Sequence, residues 1–329
     1  LRKFITVIFY ILALWPLVLE QVVAQDPLFT QFYSTPVYLN PAFSGTTDHY
    51  RVATVYRRQW AQVPRALETN LLSFEYNLEK LNSGVGLLVM NDRSGNLGVQ
   101  ANYVALSYAY QVGLSDTWQL RFGLSGGVIG KNANFNRYTF GDAIDSGGGT
   151  LESLGGRQGV VPDLSAGALA FSEKWWLGFA YHHLNQPSST QPDLNYRVPG
   201  RVSLHTGARL PVGAAYPNKF LSPALLFQSQ GGNSQLDLGL NVQYASFVFG
   251  AWYRGLPVLK GADLLPAQDA LAFLTGFQFD AWWIGYSYDL ALGGRAGVSG
   301  GSHEISIVLE PFTQRSRSKI LCPAFYKTR

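Results

Sequence analysis

Of the 329 residues only 14% are Asp, Glu, Lys or Arg, against roughly 25% in ordinary soluble proteins, while 47% are apolar, 14% are aromatic and 35 are Gly. That balance excludes global disorder and, with a mean hydropathy near zero, a bundle of membrane helices, each of which needs about 20 consecutive apolar residues. The net charge of +4 is modest, and Arg315, Arg317, Lys319, Lys327 and Arg329 crowd into the last stretch, so it leaves no nucleic-acid footprint.

In chain order, the first element is one apolar run over residues 4–19, preceded by Arg2 and Lys3 and followed by Val22, Val23 and Ala24. A basic start, an apolar centre and a small-residue cleavage site predict a secretory signal peptide over residues 1–24, with the mature chain beginning at Gln25. The run is short for an anchor, and Pro16 interrupts it. The single cysteine, Cys322, permits no intrachain disulfide, so an exported chain of this size rests on hydrogen bonding and packing alone.

Residues 25–48 lack a regular period and are expected to form a periplasmic or lumen-plugging segment. Their end, Asn40 to Gly45, is turn chemistry: Pro41 fixes φ, Gly45 permits positive φ, and Asn40 can bond its own backbone. A structured lead-in to the first strand is the reading it supports.

Residues 49–310 divide into segments of about ten residues with period-two alternation. In 236–244, Leu236, Leu238, Leu240, Val242 and Tyr244 alternate with Asp237, Gly239, Asn241 and Gln243. Fourteen such segments are predicted, centred on Val55, Ser73, Leu88, Val104, Gly123, Ala166, Leu177, His205, Leu225, Gly239, Phe249, Leu274, Gly285 and Ser306. The links after even-numbered segments are mostly tight, as at Ser172, Glu173 and Lys174. Several links after odd-numbered ones are long, over 132–159, 184–199, 255–266 and 290–300. Short periplasmic turns and longer extracellular loops on an even strand count predict an all-β fold, a transmembrane antiparallel barrel of about 14 strands in the outer membrane of a Gram-negative bacterium. Trp118, Trp175, Trp176, Trp282 and Trp283 open odd-numbered segments and are expected to form one interfacial girdle on the periplasmic side. In the last segment Ile307 should face lipid, and Ser306 should face the lumen and tolerate Asn.

Motifs that would carry chemistry fail one by one. Gly130-Lys131 lacks the phosphate-loop spacing, and Asn91 to Asn96 lacks the closing glutamate of a calcium loop. Adjacent His182 and His183 would point to opposite faces of a strand and cannot share a metal. No Ser, His and Asp spacing supports a hydrolase, so catalytic, cofactor-binding and metal-binding residues are all read as none. Arg57, Gln59 and Trp60 end the first strand on the outer side, where lumen lining or rim packing is expected. The loop over 141–159 is Gly-rich with Asp142, Asp145 and Glu152, which suits partner binding. Residues 311–329 form a basic tail, placed in the periplasm because an even strand count returns both ends to one side.

The segment that opens QDPLFTQFYSTPVYLNPAFSGTTDHYRVATVYRRQW from Gln25 resembles the start of the PorP/SprF family of type IX secretion system membrane proteins. The likeness continues in order through His183-Leu184-Asn185-Gln186-Pro187, the run Gly250 to Arg254, Gly285 to Asp289, Gly301 to Ser306 with His303 and Glu304, and Cys322-Pro323-Ala324-Phe325. Ala324 stands where a basic residue is common. The resemblance implies a barrel without catalytic residues or cofactor, acting in delivery or retention of a surface adhesin through that protein's type IX C-terminal domain. Its implied partners are that domain, periplasmic secretion or gliding-motility components and outer-membrane lipid, with Asn185 and Pro187 joining the acidic loop residues as candidate contacts. The alternative reading is a passive channel for small solutes, which requires an open lumen.

Overall fold

The computed structural model describes residues 25–63, 66–94, 99–133, 157–191, 194–213, 219–255, 270–292 and 300–311. Fourteen antiparallel strands, each bonded to its neighbours in sequence, close into a barrel. They are β1 (Tyr50–Gln59), β2 (Leu67–Leu78), β3 (Ser83–Ser94), β4 (Val99–Gly113), β5 (Gln119–Ala133), β6 (Arg157–Phe171), β7 (Trp175–His182), β8 (Arg201–Ala208), β9 (Lys219–Gln230), β10 (Asn233–Tyr244), β11 (Phe247–Gly255), β12 (Ala270–Phe279), β13 (Trp282–Ala291) and β14 (Ser302–Leu309). Closure comes from β1 against β14, where Val52 faces Leu309 and Gln59 faces Ser302. Leu210–Pro211 prolongs β8 along β9, and Ser188–Gln191 pairs with Leu194–Arg197 in a separate small hairpin. All fourteen predicted centres fall on these strands.

Alternation decides which way each side chain points. On β14, Ile307 is 38% exposed and Ser306 fully buried, and on β10 Leu238, Leu240 and Val242 face out while Asp237, Asn241 and Gln243 face in. Burial is therefore inverted relative to a soluble sandwich, with apolar residues outside and polar ones inside, as a lipid solvent demands. Polar residues interrupt the outer belt toward the long loops. Asn70, Asn91 and Asn102 are cross-strand partners on the outer face, and Asn91 Nδ2 donates to Asn102 Oδ1 at 2.7 Å. One rung nearer the short turns the partners are Leu72, Val89, Val104 and Val128. Replacing Ile307 by Arg should cost about 2–4 kcal/mol at mid-belt, read as a lower urea midpoint for refolding into vesicles.

Alternation also corrects the tryptophan girdle. Trp118, Trp175 and Trp282 are exposed on the outer face, but Trp176 and Trp283 are 4% and 1% exposed and point inward. Consecutive residues of a strand cannot share a face, so each adjacent pair supplies one interfacial anchor and one core residue. What the inward pair meets is residues 25–48, which run through the lumen. Helix α1 (Pro36–Leu39) and the turn Pro41–Phe43 lie within this segment, and residues 29–45 are buried throughout. Phe32, Leu39, Phe43, Trp176, Trp252 and Trp283 share one apolar cluster at the barrel's centre.

Candidate functional site

The lumen segment is held at three heights. Nearest the short turns it lies on glycine. A Cβ at Gly123 would stand 2.3 Å from Ala42 N, and one at Gly84 would stand 2.2 Å from Ser44 O. Only a bare backbone lets the segment come this close. Gly45 itself has φ +71° and packs on Gly84. Asn40 Oδ1 accepts from Ala42 N at 2.9 Å, starting the Pro41–Phe43 turn, while its Nδ2 reaches Ala168 O and Phe179 O at 3.0 and 3.1 Å. Arg121 donates to Ala42 O at 3.0 Å and also to Ser44 O. Asn40, Pro41 and Gly45 thus lie together in the lumen.

At mid-height the backbone amides of Thr30 and Gln31 donate to the two oxygens of Glu304 at 2.9 and 2.7 Å. Arg57 holds that carboxylate at 2.9 Å and Asp289 at 2.7 Å. Arg254 reaches Asp289 at 2.7 Å and Thr30 Oγ1 at 2.6 Å. Buried charges persist only when paired and hydrogen-bonded, and here the lumen segment completes the set. Ser306 Oγ donates to Gln31 Oε1 at 2.6 Å. A larger Asn at 306 would meet Gln31, which overturns the expected tolerance there.

Toward the long loops, His183 stands between two carboxylates, Nδ1 2.7 Å from Asp163 and Nε2 2.8 Å from Asp26. A ring with an acceptor at both nitrogens donates from both and is the imidazolium. Burial opposes that charge, yet Asp26 and Asp163 outweigh it and raise the His183 pKa to about 9. Burial likewise opposes the Asp26 carboxylate, but His183 and Arg201, the latter at 3.1 Å, hold it below the usual range. The clasp on Asp26 is therefore complete between the ordinary carboxylate range and neutral pH, and is lost as pH rises through about 9. Amide protection of residues 28–31, corrected for intrinsic base catalysis, should fall as pH passes from 7 to 10, and a His183→Gln variant should show no such step.

His182 and His183 also depart from expectation. Both are buried, because the chain leaves the strand at His183 with φ +57° and turns its ring inward beside His182, whose Nε2 meets Leu39 O at 3.0 Å. Arg57 and Glu304 are brought together, whereas His303 faces outward beside Tyr286 and Tyr288. Gln59 and Trp60 line the cavity described next. Asn185 bonds the edge of β6, and Pro187 is buried with its carbonyl accepting from Val198 N. Asp142, Asp145 and Glu152 lie outside the described residues. The sequence reading passed over Asp26, Thr30, Gln31, Arg201, Arg254 and Asp289, although the inward polar positions of β13 and β14 carry the signal.

Above the lumen segment remains a cavity of about 570 Å³, lined by Tyr38, Leu88, Met90 and Ile129 and, from other sides of the barrel, by Arg57, Arg201, Arg254 and Asp289. Asp92 and Lys131 also line it.

The sequence profile described as "Type IX secretion system membrane protein PorP/SprF" matches residues 22–309. Among solved structures, the CymD monoaromatic hydrocarbon channel is similar at 14% identity and a TM-score of 0.50, over 86% of this chain and 94% of that one. The Ralstonia pickettii toluene transporter TbuX is similar at 12% identity and a TM-score of 0.49, over 85% and 94%. A search of the curated proteins finds no match.

Proposed function

We propose, from the premise that the chain belongs to the PorP/SprF family of type IX secretion system membrane proteins, that this outer-membrane barrel binds the C-terminal domain of a secreted surface protein. It helps deliver that protein or holds it at the cell surface, and it meets secretion or motility components at its periplasmic rim. Its work is binding, not turnover. The observation that supports this reading is the occupied lumen. Glu304, His183 and the glycine seat tie the inner segment to the wall at three heights, and a free passage would require breaking all three. A barrel so filled is a rigid scaffold for loops, where binding residues concentrate. A passive channel is the second reading, favoured by the cavity beside the lumen segment; likeness to CymD at 14% identity speaks for the fold alone.

Shortening residues 141–159 to a tight turn tests the first reading. Retention of the surface partner should fall while a heat-resistant barrel still reaches the outer membrane. Unchanged display, together with its loss on removing residues 315–329, would move recognition to the periplasmic side. Large, steady solute-dependent currents from the purified protein would favour the channel.

A further inference from the structure

The cavity above the lumen segment is built in layers. Along the wall of β1–β5 the inward residues Arg57, Thr69, Asp92, Ala101 and Lys131 are successive cross-strand partners, and all five line it. Two residues nearer the short turns on β3–β5, the inward partners are Met90, Tyr103 and Ile129, with the Tyr103 hydroxyl committed to Asp163 at 3.0 Å. Leu88 and Ala105 come next, then Ser107 and Ser125. From the lumen segment, Val37, Tyr38 and Pro41 line the same cavity. A polar rim, an apolar slot and a polar floor therefore follow one another.

The charges around the cavity are spent on one another. Arg57 holds Asp289 and Glu304, Arg254 holds Asp289 and Asp237, and Arg201 and His183 hold Asp26. Asp92 and Lys131, of opposite sign, complete the balance. Such a lining favours neither an anion nor a cation, and it offers hydrogen bonds to a neutral, polar ligand. Asp92 Oδ1 accepts from Thr69 Oγ1 at 2.6 Å, and Gln235 Nε2 donates to Asp237 at 2.7 Å. Asp92 Oδ2 and Gln235 Oε1 have no partner among the described residues. Peptides commonly join a sheet at an open edge, and β1–β5 offer none, each being paired on both sides.

One strained residue stands at the mouth. Trp60, the first residue past β1, has φ +58°, which a bulky side chain adopts only under constraint. Gly300 and Gly301, both at φ +67°, supply that constraint. Gly301 O accepts from Ala61 N at 3.1 Å, and a Cβ at Gly300 would stand 2.4 Å from the Gln62 side chain. Strain held in this way clusters at ligand clamps, and here it brings a half-buried indole to the cavity. We infer that the mouth binds a neutral disaccharide of pyranose sugars, one ring in the slot between the lumen segment and β3–β5 and the next on Trp60. A pyranose has apolar C–H faces and a hydroxylated edge. The slot offers hydrocarbon and aromatic faces to the first, and the open acceptors and paired ions around it serve the second. The volume of about 570 Å³ is in the range of small-molecule sites. The site does not rest on the cargo-binding role, and a free sugar or the end of a surface polysaccharide would present the same rings.

The test uses the full chain in lauryldimethylamine oxide, a detergent without a sugar head. Maltose, cellobiose and N,N′-diacetylchitobiose are titrated in separately, with calorimetry and indole fluorescence as readouts. At least one should bind saturably and shift the indole emission. The same sugar linked to beads through its reducing end separates the sources, since retention of the protein marks a chain end and its passage a free sugar. Trp60→Ala and Asp92→Asn should each weaken binding roughly tenfold. Ala101→Phe, which fills the space between Asp92 and Lys131, should abolish it, and Trp118→Phe on the outer face should leave it unchanged. Heat-modifiable mobility reports that each variant still forms the barrel. No saturable binding of any of the three sugars overturns the inference. So does unchanged affinity in the Trp60→Ala and Ala101→Phe barrels, or saturable binding of capped trialanine in place of the sugars.

Discussion

Replacing Arg57 by Met is expected to give a barrel that conducts ions in planar bilayers, where the unaltered protein should conduct none. The guanidinium spans Asp289 at 2.7 Å and Glu304 at 2.9 Å and donates to Thr30 Oγ1 at 3.0 Å. Without it, the described ion pairs leave Asp237 and Asp289 sharing Arg254 and Glu304 with no arginine, and breaking a buried pair by removing one partner costs roughly 3–5 kcal/mol. The strain falls on the element held least elsewhere. The ladders of β1, β13 and β14 are backbone bonds that survive the change, but the grip on the Thr30 and Gln31 amides depends on a carboxylate that repulsion would displace. Arg57→Lys keeps one charge and loses the fork, so it should give intermediate conductance. Silent bilayers with Arg57→Met, and unchanged protection of residues 28–31 from proteolysis, would show that the lumen segment does not need this anchor.

Gly123→Val should unseat the segment from its other end. The new side chain would meet the backbone at Pro41 and Ala42, within 2.4 Å, which no rotamer can relieve. Overpacking of this kind costs roughly 1–3 kcal/mol even where side chains can yield. Gly167, the cross-strand partner of Gly123, holds Asn40 Oδ1 where its own Cβ would be, so the turn has no room to slide across. The expected result is loss of protease protection over residues 40–45 with heat-modifiable mobility unchanged, since β5 keeps its partners on both sides. Equal protection in the variant would mean that the seat on glycine is incidental.

The strands were legible because lipid outside and a polar interior impose alternation, and Leu236 to Tyr244 carries it without a break. The course of residues 25–48 was not. Phe29 to Ser44 mixes aromatic, hydroxyl and amide residues with no period, since its residues meet several different strands of the wall. The inward polar residues were misleading for the same reason. By alternation Ser306 reads only as a lumen-facing position, whereas Asp289, Glu304 and Ser306 are partners of Thr30, Gln31 and Ser34. Trp176 and Trp283 carry the interfacial signature in composition only, and their neighbours Trp175 and Trp282 hold the outward positions. His183 could be assigned to a strand by pattern, but its positive φ depends on a turn that the sequence does not announce.

The contacts of the lumen segment also set an order of assembly. Thr30 and Gln31 find their partners 274 and 273 residues later in the chain, and Asp26 is joined to Gln230, 204 residues away. Contacts so distant along the chain form late, because ordering the intervening residues must come first. The first folded segment is thus the last to find its place. β14 must be docked on β1 before Glu304 exists as an acceptor, and a newly closed barrel passes through an interval in which its interior is hydrated and its N-terminal strap is loose. Membrane integrity during biogenesis then turns on how quickly that strap finds its glycine seat, a rate that single-molecule conductance of refolding barrels would record as the lifetime of a transient pore.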